Sequence, residues 1–385
     1  MKVADAGSQS FEDRAKHVAL HLPGGGARGA YQVGAMRAIG ELNPKPERCP
    51  FPIFTGTSAG AINAAVLASH ADRFSHGVDR LSMFWSAMRC HNVYRTDWLS
   101  VIRSAGHWLG AVLFGRLGLR APAALLDTAP LRRLLRHETR LERIADLIRT
   151  GALESLAVSA SGYATGRAVT FFQSRDDAPW RRGRRRGRSD VIDVDHLMAS
   201  TALPLLFPPA RIGHEYFGDG SLRQTAPLSP AIHLGADRIL IVTARDARQD
   251  PEPAADSLTP SAGEIAGHLL DIVFMDNLDA DLERLHRINQ TLALIPEPHR
   301  EKSDLRPIET LVIRPSRDLR ELVAEHVSLM PASVKTMLAG VGAWRSDHRL
   351  ASYLLFEASY CRALMDLGYQ DAMRDAEKIE RLLFR

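Results

Sequence analysis

The pattern of apolar and polar positions along the chain predicts alternating strands and helices. A short apolar run at 18–22 predicts a strand, and apolar positions at helical spacing follow from 33 to 39. A second apolar run at 51–54 precedes an alanine-rich run at 61–68, which predicts a second strand and its helix. The chain therefore begins with two strand–helix units, as α/β proteins do.

Later patterns extend the predicted sheet. Apolar, β-branched and aromatic runs predict strands at 153–160, 167–173, 238–243 and 309–314, and a short hairpin at 211–217. The strand at 238–243 has the continuous apolar character of a buried parallel strand.

Helical patterns occupy much of the remainder. Periodic apolar positions predict helices over 266–294 and 318–384. A further helix should begin at Asp127 or Thr128, because either residue can cap it and Pro130 suits its first turn. Apolar residues from 78 to 119 predict helices that cover the sheet or form a lid.

Three tryptophans mark those apolar helices. Trp85, Trp98 and Trp108 are candidates for an acyl-chain channel or an interfacial lid. The alternative, which aromatic residues at helical spacing favour, is an ordinary packed core.

The 385 residues divide into four predicted segments. We expect a flexible N-terminal arm at 1–16, an α/β domain at 17–245, an exposed proline-containing connection at 246–262, and a mainly helical extension at 263–385 that packs on the core. The length allows one large domain or two.

Composition places the chain among ordinary globular proteins, with 45% hydrophobic and 24% charged residues and a formal net charge of +4. We find no apolar signal segment at the N-terminus and no apolar stretch long enough to span a membrane. Three widely spaced cysteines suggest neither a disulfide framework nor a metal site. These features predict a cytoplasmic protein that could also contact a membrane peripherally.

One basic run, Arg181–Arg188, consists of arginines interrupted by two glycines. The pattern favours a solvated, flexible loop. Docking on anionic lipid headgroups is the alternative. Nucleic-acid binding is not expected, because no reading helix or aromatic platform accompanies the run.

One pentapeptide, Gly56-Thr57-Ser58-Ala59-Gly60, lies where the second predicted strand meets its helix. A Gly-x-Ser-x-Gly turn in that position is typical of a nucleophile elbow, in which the serine stands at a tight, strained turn. Gly56 and Gly60 allow the strand and helix to pass closely. An ordinary turn serine is the alternative, and the surrounding pattern favours catalysis.

A glycine-rich loop, Gly24-Gly25-Gly26-Ala27-Arg28-Gly29, follows the first strand. Successive glycine N–H groups before a helix can hold an anion, so the loop is a candidate oxyanion hole that Arg28 supports electrostatically. The letters also fit the dinucleotide fingerprint. That alternative is disfavoured because Glu41 and Glu47 lie in a proline-broken loop rather than at a strand end. A Walker loop is excluded because no Lys-Ser/Thr follows the glycines.

A nucleophilic serine also requires a base. Asp219, which lies between Gly218 and Gly220 after the predicted hairpin, is the best candidate, although Asp-Gly is common in ordinary turns. A triad would place a histidine on a late loop. His214 and His233 lie near this region, but their flanking residues are typical of surface or core histidines.

The three motifs occur in an order that resembles the patatin-like phospholipase family. That family has a glycine-rich oxyanion loop after its first strand, a Gly-x-Ser-x-Gly elbow on the next, and an Asp-Gly-Gly or Asp-Gly-Ala catalytic aspartate. The resemblance covers roughly residues 17–245 and includes the apolar stretch 199–209. This chain departs from the family at Ser221, where glycine or alanine is usual. The effect of the serine side chain on loop packing and activity stays open.

The resemblance implies a three-layer α/β/α fold around a mainly parallel sheet, with the C-terminal helical extension added. It implies a dyad without histidine, in which Ser58 is the nucleophile and Asp219 is its base. The oxyanion would be held by N–H groups of Gly25, Gly26 and Ala59. The remaining implied site residues are Gly24, Arg28 and Gly29 of the loop and the motif glycines Gly56, Gly60 and Gly220.

The implied activity is hydrolysis of carboxylic esters in phospholipids or other acyl lipids, of the phospholipase A or lysophospholipase type, through an acyl-enzyme on Ser58. No metal or organic cofactor is expected, because no ligand spacing appears. Two alternatives stay open: an esterase or thioesterase acting on soluble acyl substrates, and a catalytically silent binding or scaffold protein. The sequence leaves the oligomeric state undetermined.

Overall fold

The computed structural model describes residues 18–100, 124–245, 277–300, 303, 305–340 and 348–385, with single positions at 259, 265, 268, 269 and 272. The predicted arm at 1–16, nearly all of the predicted connection at 246–262 and Trp108 lie outside the described residues. The proposed division into four segments stays a prediction.

The described strands form one ten-stranded sheet in the order β10-β9-β1-β2-β3-β4-β6-β5, with β8 beside β3 and β7 beside β8. Their bounds are β1 Val18–Leu22, β2 Ile53–Thr57, β3 Ser155–Gly162, β4 Ala168–Ser174, β5 Arg181–Arg182, β6 Arg185–Ser189, β7 Ala210–Ile212, β8 Glu215–Asp219, β9 Arg238–Val242 and β10 Glu309–Ile313.

The helices of the described residues flank this sheet and continue to the C-terminus. They are α1 Ala30–Leu42, α2 Ala59–Ala68, α3 Phe74–Ser86, α4 Cys90–Val93, α5 Ala129–Glu138, α6 Ile144–Thr150, α7 Val194–Ser200, α8 Ser229–His233, α9 Asn277–Leu294, α10 Glu297–Arg300, α11 Leu319–Ala324, α12 Ala332–Gly340, α13 Arg349–Leu354, α14 Ala358–Arg374 and α15 Ala376–Leu383.

The predicted mainly parallel α/β sheet is confirmed. Strands β10, β9, β1, β2 and β3 run parallel, whereas β4 returns antiparallel to β3. The predicted strand pair, hairpin and last strand are all present. The helix beginning near Thr128 is also present, with Pro130 in its first turn. The predicted helical pattern from 318 is divided among α11–α15 in the described residues.

Two strands meet end to end along the same edge of β3. The last residue of β2, Thr57, pairs with Ser159 of β3. The next residue of β3, Ala160, pairs with Asp219, the last residue of the antiparallel β8. The chain therefore brings the residue after β2 and the end of β8 to one point.

The C-terminal helices belong to the main hydrophobic core. Helix α14 packs along α1, and the contact is close because both helices have a glycine there. A Cβ atom at Gly34 would overlap the Met365 carbonyl, and one at Gly368 would overlap the Tyr31 carbonyl. Helices α8 and α9 cover the other sheet face through a second apolar cluster that includes Leu228, Leu278 and Leu285. Two helical layers thus enclose the sheet.

The prediction of a flexible loop at Arg181–Arg188 is wrong. These residues form the β5–β6 hairpin, and β6 pairs in parallel with β4 from Arg185 opposite Ala168 to Ser189 opposite Phe172. Gly187 explains why this charged run can form a strand, because the Trp180 indole lies directly over its backbone. Arginines on the solvated side of an edge strand also oppose further strand pairing.

No helix in the described residues is long and apolar enough to cross a membrane.

Candidate functional site

Ser58 lies at a strained turn between β2 and α2. Its φ of 55° and ψ of −129° lie outside the regions that non-glycine residues commonly adopt. A Cβ atom at Gly60 would overlap the Leu22 carbonyl, and one at Gly56 would lie 2.6 Å from the Ala61 Cα. The two motif glycines therefore permit the close strand–helix crossing on which the strained turn depends.

A serine outside the predicted site fixes this turn. The Ser58 N–H donates a 2.9 Å hydrogen bond to the Ser200 hydroxyl, which donates a 2.7 Å bond to the Ser159 carbonyl. Ser200 is fully buried at the end of α7. The sequence analysis missed Ser200, because a single serine in an apolar stretch carries no motif.

Asp219 ends β8 and is fully buried. Its Oδ1 accepts a 2.9 Å hydrogen bond from the Ser221 N–H. Its Oδ2 has no partner with full hydrogen-bond geometry in the described part of the chain. Burial raises the Asp219 pKa to about 6, and the neighbouring Ser58 hydroxyl and Ser221 N–H oppose part of this rise.

The Ser58 hydroxyl thus lies close enough to influence Asp219 without completing a short hydrogen bond. Catalytic hydrogen bonds often become short only when substrate is bound. With a pKa of about 6, the Asp219 carboxyl is mostly ionised at neutral pH and is a stronger base than an exposed aspartate.

The candidate histidines lie elsewhere. His214 is exposed in the β7–β8 turn, about 17 Å along β8 from Asp219 at the usual rise per residue. His233 lies on α8, where its Nδ1 is 2.7 Å from the Ser229 carbonyl and its ring stacks on Trp180. Neither residue joins the Ser58–Asp219 pair.

The glycine loop forms a buried turn from Gly26 to Gly29 at the start of α1. Gly26 has a φ of 55°, and a Cβ atom there would overlap the Tyr353 carbonyl of α13. Only glycine suits this combination of conformation and close approach.

Arg28 joins this loop to α13. Its Nε donates to the Ser352 hydroxyl at 2.8 Å, and its Nη1 donates to the Tyr353 hydroxyl at 3.2 Å. The guanidinium carbon also lies 4.1 Å from the centre of the Tyr353 ring. The C-terminal region therefore supports the predicted oxyanion loop, a contact that the sequence motifs did not indicate.

A buried amide pair connects the loop with the helix after Ser58. Asn63 on α2 donates to the Gly29 carbonyl at 3.0 Å and to Gln32 Oε1 at 2.9 Å. Asn63 Oδ1 accepts a 2.8 Å bond from the Trp85 indole. Gln32 donates in turn to the Pro23 carbonyl at 2.8 Å. Both ends of the glycine loop are thus fixed relative to α2.

A narrow apolar cavity opens beside Ser58 and Gly26. Its wall includes Ile62, Phe84, Trp85, Met88, Phe207 and Phe356. Trp85 is buried and lines this cavity, whereas Trp98 is 48% exposed and does not line it. The apolar wall is of the kind that contacts hydrocarbon groups in ligand sites, and it lies next to the candidate nucleophile.

No group of three or more His, Cys, Asp or Glu side chains in the described residues is arranged to hold a metal ion.

Comparison with known proteins identifies the family. The model of the family described as patatin-like phospholipase matches residues 20–232, more than half of the chain. The chain belongs to the patatin-like phospholipase family. This membership confirms the resemblance.

A cGAMP-activated phospholipase from Pseudomonas aeruginosa is 27% identical over 208 residues, which cover 54% of this chain and 53% of that protein. The match thus spans about half of the relative's length. The crystal structure of VipD from Legionella pneumophila aligns with 94% of this patatin-like chain and 67% of VipD, at 12% identity and a TM-score of 0.37.

Proposed function

We propose that this protein hydrolyses carboxylic esters of phospholipids or lysophospholipids through an acyl-enzyme on Ser58, with Asp219 as the base. The observation that carries the proposal is the position of Ser58. This strained serine lies at an apolar cavity and beside Asp219, whose buried carboxylate has one oxygen without a hydrogen-bond partner among the described residues.

In the first half-reaction, Ser58 Oγ attacks the ester carbonyl while Asp219 accepts the hydroxyl proton. The oxyanion accepts hydrogen bonds from N–H groups of Gly25, Gly26 and Ala59. The Ala59 N–H suits this role because the first N–H groups of a helix have no intrahelical acceptor. When the tetrahedral intermediate collapses, the C–O bond to the alcohol breaks and Asp219 returns the proton to the leaving oxygen.

In the second half-reaction, water attacks the Ser58 ester while Asp219 accepts a proton from it. Collapse breaks the bond between the acyl carbon and Ser58 Oγ, and Asp219 returns the proton to this oxygen. The products are a fatty acid and the original enzyme. The apolar cavity holds the acyl chain throughout, so its walls at Trp85 and Phe356 would influence chain-length preference.

The testing experiment measures fatty-acid release from phospholipid vesicles by the full chain and by Ser58→Ala. The proposal predicts release that the substitution abolishes. The assay includes an arm with cGAMP, because the Pseudomonas relative is named for activation by this dinucleotide. Absence of release in both arms, with a folded protein, would contradict the proposal.

Two further measurements separate the alternatives. A soluble esterase or thioesterase would act on short acyl esters or thioesters and release no fatty acid from vesicles. A silent scaffold would leave Ser58 unlabelled by a fluorophosphonate, whereas the proposed hydrolase should be labelled in the wild type and unlabelled in Ser58→Ala.

A further inference from the structure

The turn of the basic hairpin lies at the same edge of the sheet as Ser58. Strand β3 runs parallel to β2, so both strands end at this edge. Strand β4 returns from it, which places Ala168 at the edge, and β6 pairs Arg185 with Ala168. The Arg182–Arg185 turn is therefore at the carboxyl edge of the parallel strands.

The arginines of this turn have no ion-pair partner in the parts of the chain that the structure describes. Arg182 and Arg184 are exposed, and Arg185 is half-buried. The acidic residue Asp281 lies within electrostatic reach of Arg185. Its carboxylate already accepts hydrogen bonds from the Leu228 N–H at 3.0 Å and from Arg284 at 3.1 Å, so it offsets the charge of Arg185 only in part. The turn thus carries a largely uncompensated positive charge.

Two further exposed arginines extend this charge towards the candidate dyad. Arg167 lies in the β3–β4 connection, and Arg223 follows the turn after Asp219. Arg223 Nη2 lies 3.8 Å from the position that a Cβ atom on Gly166 would occupy, so its side chain reaches this connection. We call the set Arg167, Arg182, Arg184, Arg185 and Arg223 the basic rim.

An exposed tyrosine lies next to the basic rim, and an exposed leucine lies close in sequence to the wall of the cavity. Tyr163, at the carboxyl end of β3, is 52% exposed, and its hydroxyl lies beside Gly218. Leu205 is 62% exposed and has a φ of 64°, although Leu203 two residues earlier lines the apolar cavity. A strained backbone that presents a leucine to water is a feature associated with binding sites.

We propose that this edge of the protein docks on an anionic bilayer. The basic rim binds lipid phosphates, Tyr163 and Leu205 enter the interface, and the cavity beside Ser58 faces the lipid. Arginines close to such a surface are attracted to it, and a tyrosine suits the boundary between water and acyl chains. This proposal rests on the proposed function, because docking would bring Ser58 to its lipid substrate. The docking itself requires no hydrolysis.

The test measures vesicle binding in a Ser58→Ala background, so that lipid turnover does not alter the vesicles. Co-sedimentation compares phosphatidylcholine vesicles with vesicles that also contain phosphatidylglycerol. The test variant replaces Arg182, Arg184 and Arg185 with serine. The matched control replaces Arg149, Arg175 and Arg381 with serine. These three residues lie near the opposite edge of the sheet.

The proposal predicts binding that requires phosphatidylglycerol and weakens with added salt. The test variant should bind roughly 100-fold more weakly than the unsubstituted arginine protein, at about fivefold per arginine. The control variant has the same net charge as the test variant, but its affinity should fall much less. Replacing the three test residues with lysine should preserve binding. If the serine variant fails to fold, Arg184→Glu in the exposed turn replaces it, with an expected loss on the order of tenfold.

Equal losses in the test and control variants would overturn the docking proposal, and so would equal binding to both vesicle types. Vesicle binding without fatty-acid release by the wild type would instead contradict the proposed function and leave docking supported.

Discussion

The Ser58 N–H and the Ser200 hydroxyl are joined by a 2.9 Å hydrogen bond, although 142 residues separate them. Through the Ser159 carbonyl, this bond connects the nucleophile turn to β3. A residue in a sparsely populated backbone conformation persists only when surrounding contacts determine it. Ser200 supplies one of these contacts.

Ser200→Ala should therefore lower both stability and turnover. Loss of the hydroxyl leaves a buried N–H and a buried carbonyl without their partner, which should lower the free energy of unfolding by about 2 kcal/mol. We expect kcat to fall more than KM rises, because the nucleophile turn relaxes. The control is Ser155→Ala, since the buried Ser155 hydroxyl has no partner among the described residues. Equal kcat in the two variants would contradict a role in positioning Ser58.

Asn63→Leu should disconnect the glycine loop from α2. The Trp85 indole, the Gly29 carbonyl and Gln32 each lose a buried partner, so we expect roughly 3 kcal/mol of destabilisation. Turnover should fall at least tenfold, and the tryptophan fluorescence of the protein should change because Trp85 loses its hydrogen-bond partner.

The control for this prediction is Asn289→Leu. Asn289 is likewise a hydrogen-bonded asparagine on a helix, since it donates to the Ile308 carbonyl and accepts from the Ile308 N–H, but it lies on α9. This variant should lose stability while its turnover per folded molecule stays near that of the wild type. A similar loss of turnover in both variants would show that destabilisation alone explains the result.

Truncation after Arg245 should abolish cooperative folding, although the matched family region ends at residue 232. The truncated chain lacks β10, the helix α14 that packs on Gly34, and the Ser352 and Tyr353 groups that hold Arg28. Thermal unfolding and limited proteolysis check this expectation. A stable, active fragment would show that the C-terminal helices do not support the oxyanion loop.

Asp219→Asn should stabilise the folded protein above about pH 6 while it abolishes activity. The folded pKa of about 6 exceeds the ordinary aspartate value of 3.8, so ionisation of Asp219 costs stability as pH rises between these values. The difference should approach about 3 kcal/mol at pH 8 and should mostly disappear towards pH 4. Unfolding midpoints of wild type and variant across this range measure it, and a pH-independent difference would contradict the raised pKa.

The same pKa also fixes the direction of the pH dependence of turnover in the wild type. A base must be deprotonated to accept the Ser58 proton, so kcat/KM should rise with pH through about 6 and then level. A rate that rises only near pH 4, at an ordinary aspartate pKa, would exclude the buried carboxyl as the titrating base.

Much of the fold was predictable because its strands are short apolar runs, such as 238–243, between clear turn signals. The strained turn at Ser58 was predictable because it lies in a local motif, whereas the role of Asp219 as the base stays a prediction. The β5–β6 hairpin was not predictable, because its packing comes from Trp180 over Gly187 rather than from an apolar pattern of its own. Ser200 and the Arg28–Ser352 contact were hidden for another reason: hydrogen bonds across more than a hundred residues leave no periodic signal.

The turnover of Asp219→Asn, compared with His214→Asn, tests the central claim of a Ser58–Asp219 dyad most directly. Both substitutions exchange a titratable group for a neutral amide, but only Asp219 lies beside Ser58. We predict that Asp219→Asn lowers kcat on the order of a thousandfold or more while the protein stays folded, and that His214→Asn retains nearly normal turnover. Near-normal turnover by Asp219→Asn, or a comparable loss in His214→Asn, would contradict the dyad.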